Sequence, residues 1–181
     1  MPDGDDLLDS SFVRDLVRLL QAFDREILGL YDALDPADDP VLAEAARGFR
    51  SHWAGPLVRL HRHGPLTVRA LADHADVTHS AMSQTVTALR RAGLVEDAPA
   101  SATRDGRTRA VALTARGARL APYCAAEWRA TERTWLELDA ELSHPLSAVV
   151  AELRAAVARR PLAQRLRAHL EEPGEAPVTG R

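Results

Sequence analysis

Apolar residues return every third or fourth position over the start of the chain, at Val13, Leu16, Leu20, Phe23, Ile27, Leu30 and Leu34. Over about three heptads this spacing predicts a long helix that lays one narrow seam against other helices. The breaker segment Asp35–Pro40 ends it. A second helical stretch is expected over Val41–Arg50 and a third over Phe49–His63, with Pro56 kinking that region or marking its first turn. Gly64-Pro65 breaks the chain again. Thr67 then stands where it can cap a short helix carrying Val68, Leu71 and Ala72, and His74–Val77 reads as a turn.

The next helix is expected to start at Thr78 and stop at Gly93. A threonine hydroxyl satisfies an orphan amide of the first turn, and glycine enters the left-handed C′ conformation without a steric penalty. Wound at about 100° per residue, the segment places Met82, Val86 and Leu89 on one side. Ser80, Ser83, Gln84, Thr87 and Arg91 fall on the other. That second face carries no carboxylate and no large apolar group. Such side chains hydrogen-bond base edges and phosphates without repelling the DNA backbone, although the same face would also suit plain solvent.

Beyond Gly93, Leu94-Val95-Glu96 predicts the start of a strand. Asp105-Gly106 supplies turn chemistry for a hairpin, and Arg109–Leu113 alternates as a short returning strand does. Thr114 is placed to cap a further helix with Gly117 near its start. Cys124, Trp128, Thr131, Trp135, Leu138 and Leu142 repeat the four-three alternation, with Pro122 expected to bend the helix. Ser143 or His144 is expected to begin another helix through Leu146, Val149, Val150, Leu153 and Val157. Pro161 suits the first turn of a last one, with Leu162, Leu166 and Leu170 on a single face. Residues 171–181 lack apolar periodicity and are expected to be disordered.

Composition changes the picture in two respects. The net charge of −3 is unpromising for a nucleic-acid binder, but it is unevenly spread. Residues 1–58 carry −7, residues 59–119 carry +5 with four histidines besides, and residues 120–181 carry −1. The basic middle therefore coincides with the polar helix face. Cys124 is the sole cysteine, which rules out an intrachain disulfide and a cysteine-based metal cluster. A lone cysteine in an apolar helical stretch is commonly a small core residue, with a redox sensor as the alternative. No apolar run is long enough for a membrane span, and the opening MPDGDDLLDS is acidic where a secretion signal is basic and then apolar, so a cytoplasmic location is expected. No nucleophile–base pairing, glycine-rich phosphate loop or metal triad argues for an enzyme.

A helix, a turn, a second helix with a polar outer face and then an arginine-bearing hairpin is the order of a winged helix-turn-helix. Residues from about 57 to 120 resemble the MarR (multiple antibiotic resistance regulator) family of bacterial transcription factors. The resemblance rests on LTVRALADHADVTHSAMSQTVTALRRAGLVE, on the D-x-R wing signature at Asp105-Gly106-Arg107, and on Leu-Thr-x-x-x-Gly at Leu113 to Gly117. It implies a mainly α fold with a small β-wing (α+β), in which both chain ends interleave to make a homodimer. The corresponding organisation is N-terminal dimerisation helices over 1–50, a winged lobe over 51–117, C-terminal dimerisation helices over 118–170 and a tail over 171–181. The stretch Val41–Arg50 has no obvious counterpart in the family.

The same resemblance implies that the 78–92 helix enters the major groove of double-stranded DNA and the 98–109 wing the minor groove. Thr78, His79, Ser80, Ser83, Gln84 and Thr87 would then face bases or flanking phosphates, with Gln84 suited to adenine or to a phosphate oxygen. Arg90 and Arg91, late in the helix, suit phosphates. Arg107 would enter the minor groove, braced by Asp105, with Arg104 and Arg109 following the backbone. A surface ion pair is the plain alternative for Asp105 and Arg107. Repression is the family's habit, and release by a small phenolic or aromatic ligand is common in it. Tyr31, His52, Trp53 and Trp128, and further along Trp135, are the candidates to line such a pocket, although tryptophans at helical spacing are commonly core. No resident cofactor and no metal are expected. His61 and His63 on one helix point about 200° apart, which suits a shared ion poorly even with His52 or His74 nearby. A metal- or redox-responsive member of the fold, or a winged helix that binds protein without DNA, are the alternatives.

Overall fold

The computed structural model describes residues 11–99 and 109–171. Eight helices and three short strands follow one another in it. Helix α1 (Phe12–Asp32) opens on Ser11, whose hydroxyl accepts from the Arg14 amide at 3.1 Å. Helix α2 (Pro40–Ala46) carries proline at its first position, where no amide hydrogen is missed, and Asp39 caps it. The third stretch read from the sequence is divided: a 3-10 turn over Ser51–Trp53 leads into α3 (Ala54–His63), with Pro56 in the first turn. Gly64 closes α3 at φ +74°.

Strand β1 (Leu66–Thr67) and helix α4 (Val68–Ala75) meet at Thr67, whose hydroxyl accepts from the Ala70 amide at 3.1 Å. His74 lies inside α4 and not in the turn expected there, because Asp76 closes the helix in the left-handed conformation at φ +52°. Asp is among the few residues with a side chain that tolerate this region. Helix α5 (His79–Arg91) then runs to Ala92 and Gly93, the latter at φ +68°. Strands β2 (Val95–Asp97) and β3 (Ala110–Leu113) complete an antiparallel sheet in the order β1-β3-β2, with Leu66 opposite Val111 and Val95 opposite Leu113. Two-residue β1 was not expected, since alternation needs more positions to register.

Helix α6 (Ala115–Glu141) contains Pro122. Helix α7 (Leu146–Arg159) starts later than Ser143 or His144. The reason is a cap supplied from the preceding helix: Asp139 accepts from the Ser147 amide at 3.0 Å and from its hydroxyl at 2.6 Å. These bonds hold the Asp139 carboxyl below the usual aspartate range. Helix α8 (Leu162–Glu171) follows Pro161 and takes in Glu171, which the sequence assigned to the tail; residues 172–181 lie outside the described residues.

The chain divides into two compact units, Met1–Arg129 and Ala130–Arg181. The first has a core running from Tyr31 and Phe49 through Leu57, Leu71, Val86 and Val111 to Leu120 and Cys124. The N-terminal helices thus share their core with the helix-turn-helix. In the second unit, α7 and α8 bury no residue. No described helix is long and apolar enough to cross a membrane.

Candidate nucleic-acid interface

Helix α5 is held as an exposed rod with one buried edge. Thr78 caps it through a hydroxyl that accepts from the Ala81 amide at 3.2 Å. Met82, Val86 and Leu89 are buried, one per turn. Thr78, His79, Ser80, Ser83, Gln84, Thr87 and Arg91 are all exposed, as the winding of the sequence predicted. Within that face the hydrogen-bonding capacity is unequal. The Thr87 hydroxyl donates to the Ser83 carbonyl at 2.8 Å, which leaves its methyl group and lone pairs outward. Ser80, Ser83 and Gln84 form the central polar stretch. Arg90 is turned aside and hydrogen-bonds the Asp97 carboxylate on β2. Arg109 is exposed at the foot of β3, while Arg104, Asp105 and Arg107 lie outside the described residues.

The C-terminal end of α5 is fixed by residues whose role the sequence did not reveal. Thr114 accepts from the Gly117 amide at 3.1 Å, as its capping role requires, and its hydroxyl also donates to the Gly93 carbonyl at 2.7 Å. The Thr114 amide donates to the Leu94 carbonyl at 3.1 Å. Gly117 lies so close to Leu94 that a Cβ there would stand 1.9 Å from the Leu94 carbonyl oxygen. The Leu-Thr-x-x-x-Gly sequence is therefore a clamp between the start of α6 and the end of α5. Its signal was visible as a motif, but its physical cause was not.

The four proposed ligand-pocket residues separate. Tyr31 is buried, stacks on Phe49 at 3.9 Å and donates to a Glu127 carboxylate oxygen at 3.2 Å. Burial, with Cys124 and Glu127 adding to it, pushes its phenol well above the ordinary range. Trp53 is also core, edge-on to Phe49 at 6.1 Å, and its indole N–H finds no hydrogen-bond partner among the described residues. His52 is exposed beside Trp53, and its pKa is lowered by desolvation and by Arg50. Trp128 lines a cleft. That cleft, of about 510 Å³, is formed by Val58, His61 and Arg62 of α3 with Pro122, Ala125, Trp128 and Arg129 of α6. Helical spacing on α3 and α6 could have grouped these residues; the three-four count drew attention to the aromatic rings alone.

Two other expectations can be placed. Cys124 is fully buried, and burial raises its thiol to about 11, so it has the character of a core residue. His63 and His74, from α3 and α4, lie with ring centroids 5.8 Å apart, but no group of three or more His, Cys, Asp or Glu among the described residues could hold a metal ion.

Comparison with known proteins bears on this lobe. The sequence model of the MarR family matches residues 49–107, which span the 3-10 turn, the helix-turn-helix and β2. No curated protein matches the chain. Among solved structures, a probable transcriptional regulator from Pseudomonas aeruginosa is similar at 21% identity, covering 83% of this chain and 98% of its own, with a TM-score of 0.55. The S. aureus MepR–DNA complex is similar at 16% identity over 83% of this chain and 98% of its own, with a TM-score of 0.56. At such identities the likeness is one of fold.

Proposed function

We propose that the chain, whose residues 49–107 match the sequence model of the MarR family, is a DNA-binding transcription regulator that acts as a homodimeric repressor of a pseudo-palindromic operator. The observation that carries this reading is the exposed, acid-free face of α5 within the one strongly basic third of the chain. Ser80, Ser83 and Gln84 would read base edges in the major groove, with Thr78, His79, Thr87 and Arg91 at the margins. Arg107, braced by Asp105, would enter the minor groove, and Arg104 and Arg109 would follow the backbone. Arg90 would reach a phosphate only by leaving Asp97. The partner is a second copy. Leu16 and Leu20 of α1, Leu136 of α6, Leu153 of α7 and Leu166 of α8 stand exposed and need cover. Half-sites would lie about 10 base pairs apart.

Release by a ligand is part of the proposal. The α3–α6 cleft offers an indole face beside Arg62 and Arg129, which suits a small aromatic molecule bearing negative charge. A gel-shift titration against the DNA upstream of its own gene, repeated with a panel of phenolic ligands, tests both parts. Binding is expected, and Arg107→Ala should weaken it and flatten its salt dependence by about one unit of slope. Unchanged affinity and slope in that variant would remove the wing assignment.

A further inference from the structure

Helix α2 is the stretch with no counterpart in the sequence resemblance, and it is tied at both ends to the first turns of α6. Asp39 accepts from the Leu42 amide at 2.9 Å as the helix cap and also from the Arg119 guanidinium. Both bonds draw the Asp39 carboxyl below the usual aspartate range. At the other end, Arg116 donates to the Glu44 carbonyl oxygen at 2.9 Å, and the same guanidinium stands 3.7 Å from the Glu44 carboxylate. Ala45 and Ala46, immediately after the Glu44 tie, are buried.

Arg116 also reaches the other way. Its Nη1 lies 3.6 Å from where a Cβ on Gly93 would stand, so the guanidinium covers the left-handed residue that ends α5. Its Nε is buried without a hydrogen-bond partner among the described residues. The planar group is thus a spacer with α2 on one side and the end of the recognition helix on the other. Thr114 and Gly117, two and one positions away, clamp that same end.

We propose that α2 is a brace which, through Arg116 and Arg119, sets the angle at which α5 is presented to DNA. The two arginines are then positioning residues rather than phosphate contacts, although they belong to the basic third of the chain. This deepens the DNA-binding reading and rests on it. A phosphate contact and a positioning contact differ in their response to salt. Removing a phosphate contact lowers the slope of log K against log salt by about one unit, whereas removing a brace lowers affinity at every salt concentration. They differ also in tolerance of lysine, which keeps the charge but loses the planar fork.

The experiment uses the full-length protein and a duplex selected by it from a random DNA pool. Arg116→Lys and the double variant Arg116→Ala with Arg119→Ala are compared across a salt titration, with amide hydrogen exchange measured on the DNA-free proteins. Both variants are expected to bind roughly fivefold more weakly with an unchanged salt slope. Exchange at Gly93 and Leu94 should quicken while the amides of α4 stay as they were. A slope lowered by a unit, or full retention of affinity by Arg116→Lys, would overturn the brace. If the double variant does not fold, Arg116→Lys alone decides. If the wild-type protein selects no duplex, the DNA-binding reading fails, and unchanged exchange at residues 93 and 94 would still overturn the brace separately.

Discussion

Helix α5 is 13 residues long and buries Met82, Val86 and Leu89; helix α7 is 14 residues long and buries nothing. Both carry apolar residues at helical spacing, and α7 carries more of them. The difference lies in what surrounds each. Around α5 the chain supplies α4, the sheet and the start of α6, so its apolar edge is covered and its polar face is left for something else. Around α7 the chain leaves Val149, Val150, Leu153 and Val157 exposed. In the proposed homodimer a helix with that much uncovered apolar surface would be half of an interface, since each such side chain gains about 1.5–3 kcal/mol on full burial. Apolar periodicity thus marks a local core at α5 and an uncovered face at α7, the latter the place for a second copy in the proposed dimer.

The most severe way to break the contrast is to charge α7. Leu153→Glu should convert a dimer into a monomer in sedimentation velocity and lower operator affinity about 100-fold or more, because the second half-site is no longer tethered to the first. A variant that remains dimeric would show that α7 is not an interface helix. On the other side of the comparison, Gly117→Ala drives a methyl group into the Leu94 carbonyl oxygen. It should cost about 2–3 kcal/mol in urea unfolding, while the equivalent change at exposed Gly29, which has open space, stays near neutral. Thr114→Val removes a cap and a tie to Gly93 while keeping the shape, with an expected loss of about 1–2 kcal/mol by the same measurement. The smallest effect is chemical. With its thiol raised to about 11, Cys124 should resist alkylation in the folded protein at neutral pH, where the thiolate fraction is depleted, and react only as the pH approaches that value or on unfolding. Rapid labelling of the native protein at pH 7 would return a redox role to it.

What could be read beforehand follows the same division. The caps at Thr67, Thr78 and Thr114, the stop at Gly93 and the inner edge of α5 were legible because each depends on residues within four positions. The resemblance to the family was legible because motif order survives where single residues do not. The pocket was not. Tyr31 and Trp53 find their partners at Phe49 and Glu127, and no periodicity reports that a ring has been filled from elsewhere. The start of α7 was missed for a similar reason, since Asp139 caps it from eight positions upstream of Ser147. The ties of α2 to Arg116 and Arg119, one through a backbone carbonyl and one through a carboxylate, span 72 and 80 positions, beyond any local pattern.

The pairing of Arg90 with Asp97 has a further consequence. The last arginine but one of α5 already holds a carboxylate, so in the proposed complex a phosphate oxygen would have to take the place Asp97 occupies in the free protein. If Arg90 exchanges one for the other on DNA, the guanidinium is handed over already ordered, and the charge it gives up is the protein's own. Such an exchange adds little to overall attraction and leaves Asp97 bare beside the duplex unless the fit is close. If Arg90 does meet a phosphate as proposed, the pair would work as a resident decoy, penalising DNA that presents its backbone in the wrong register.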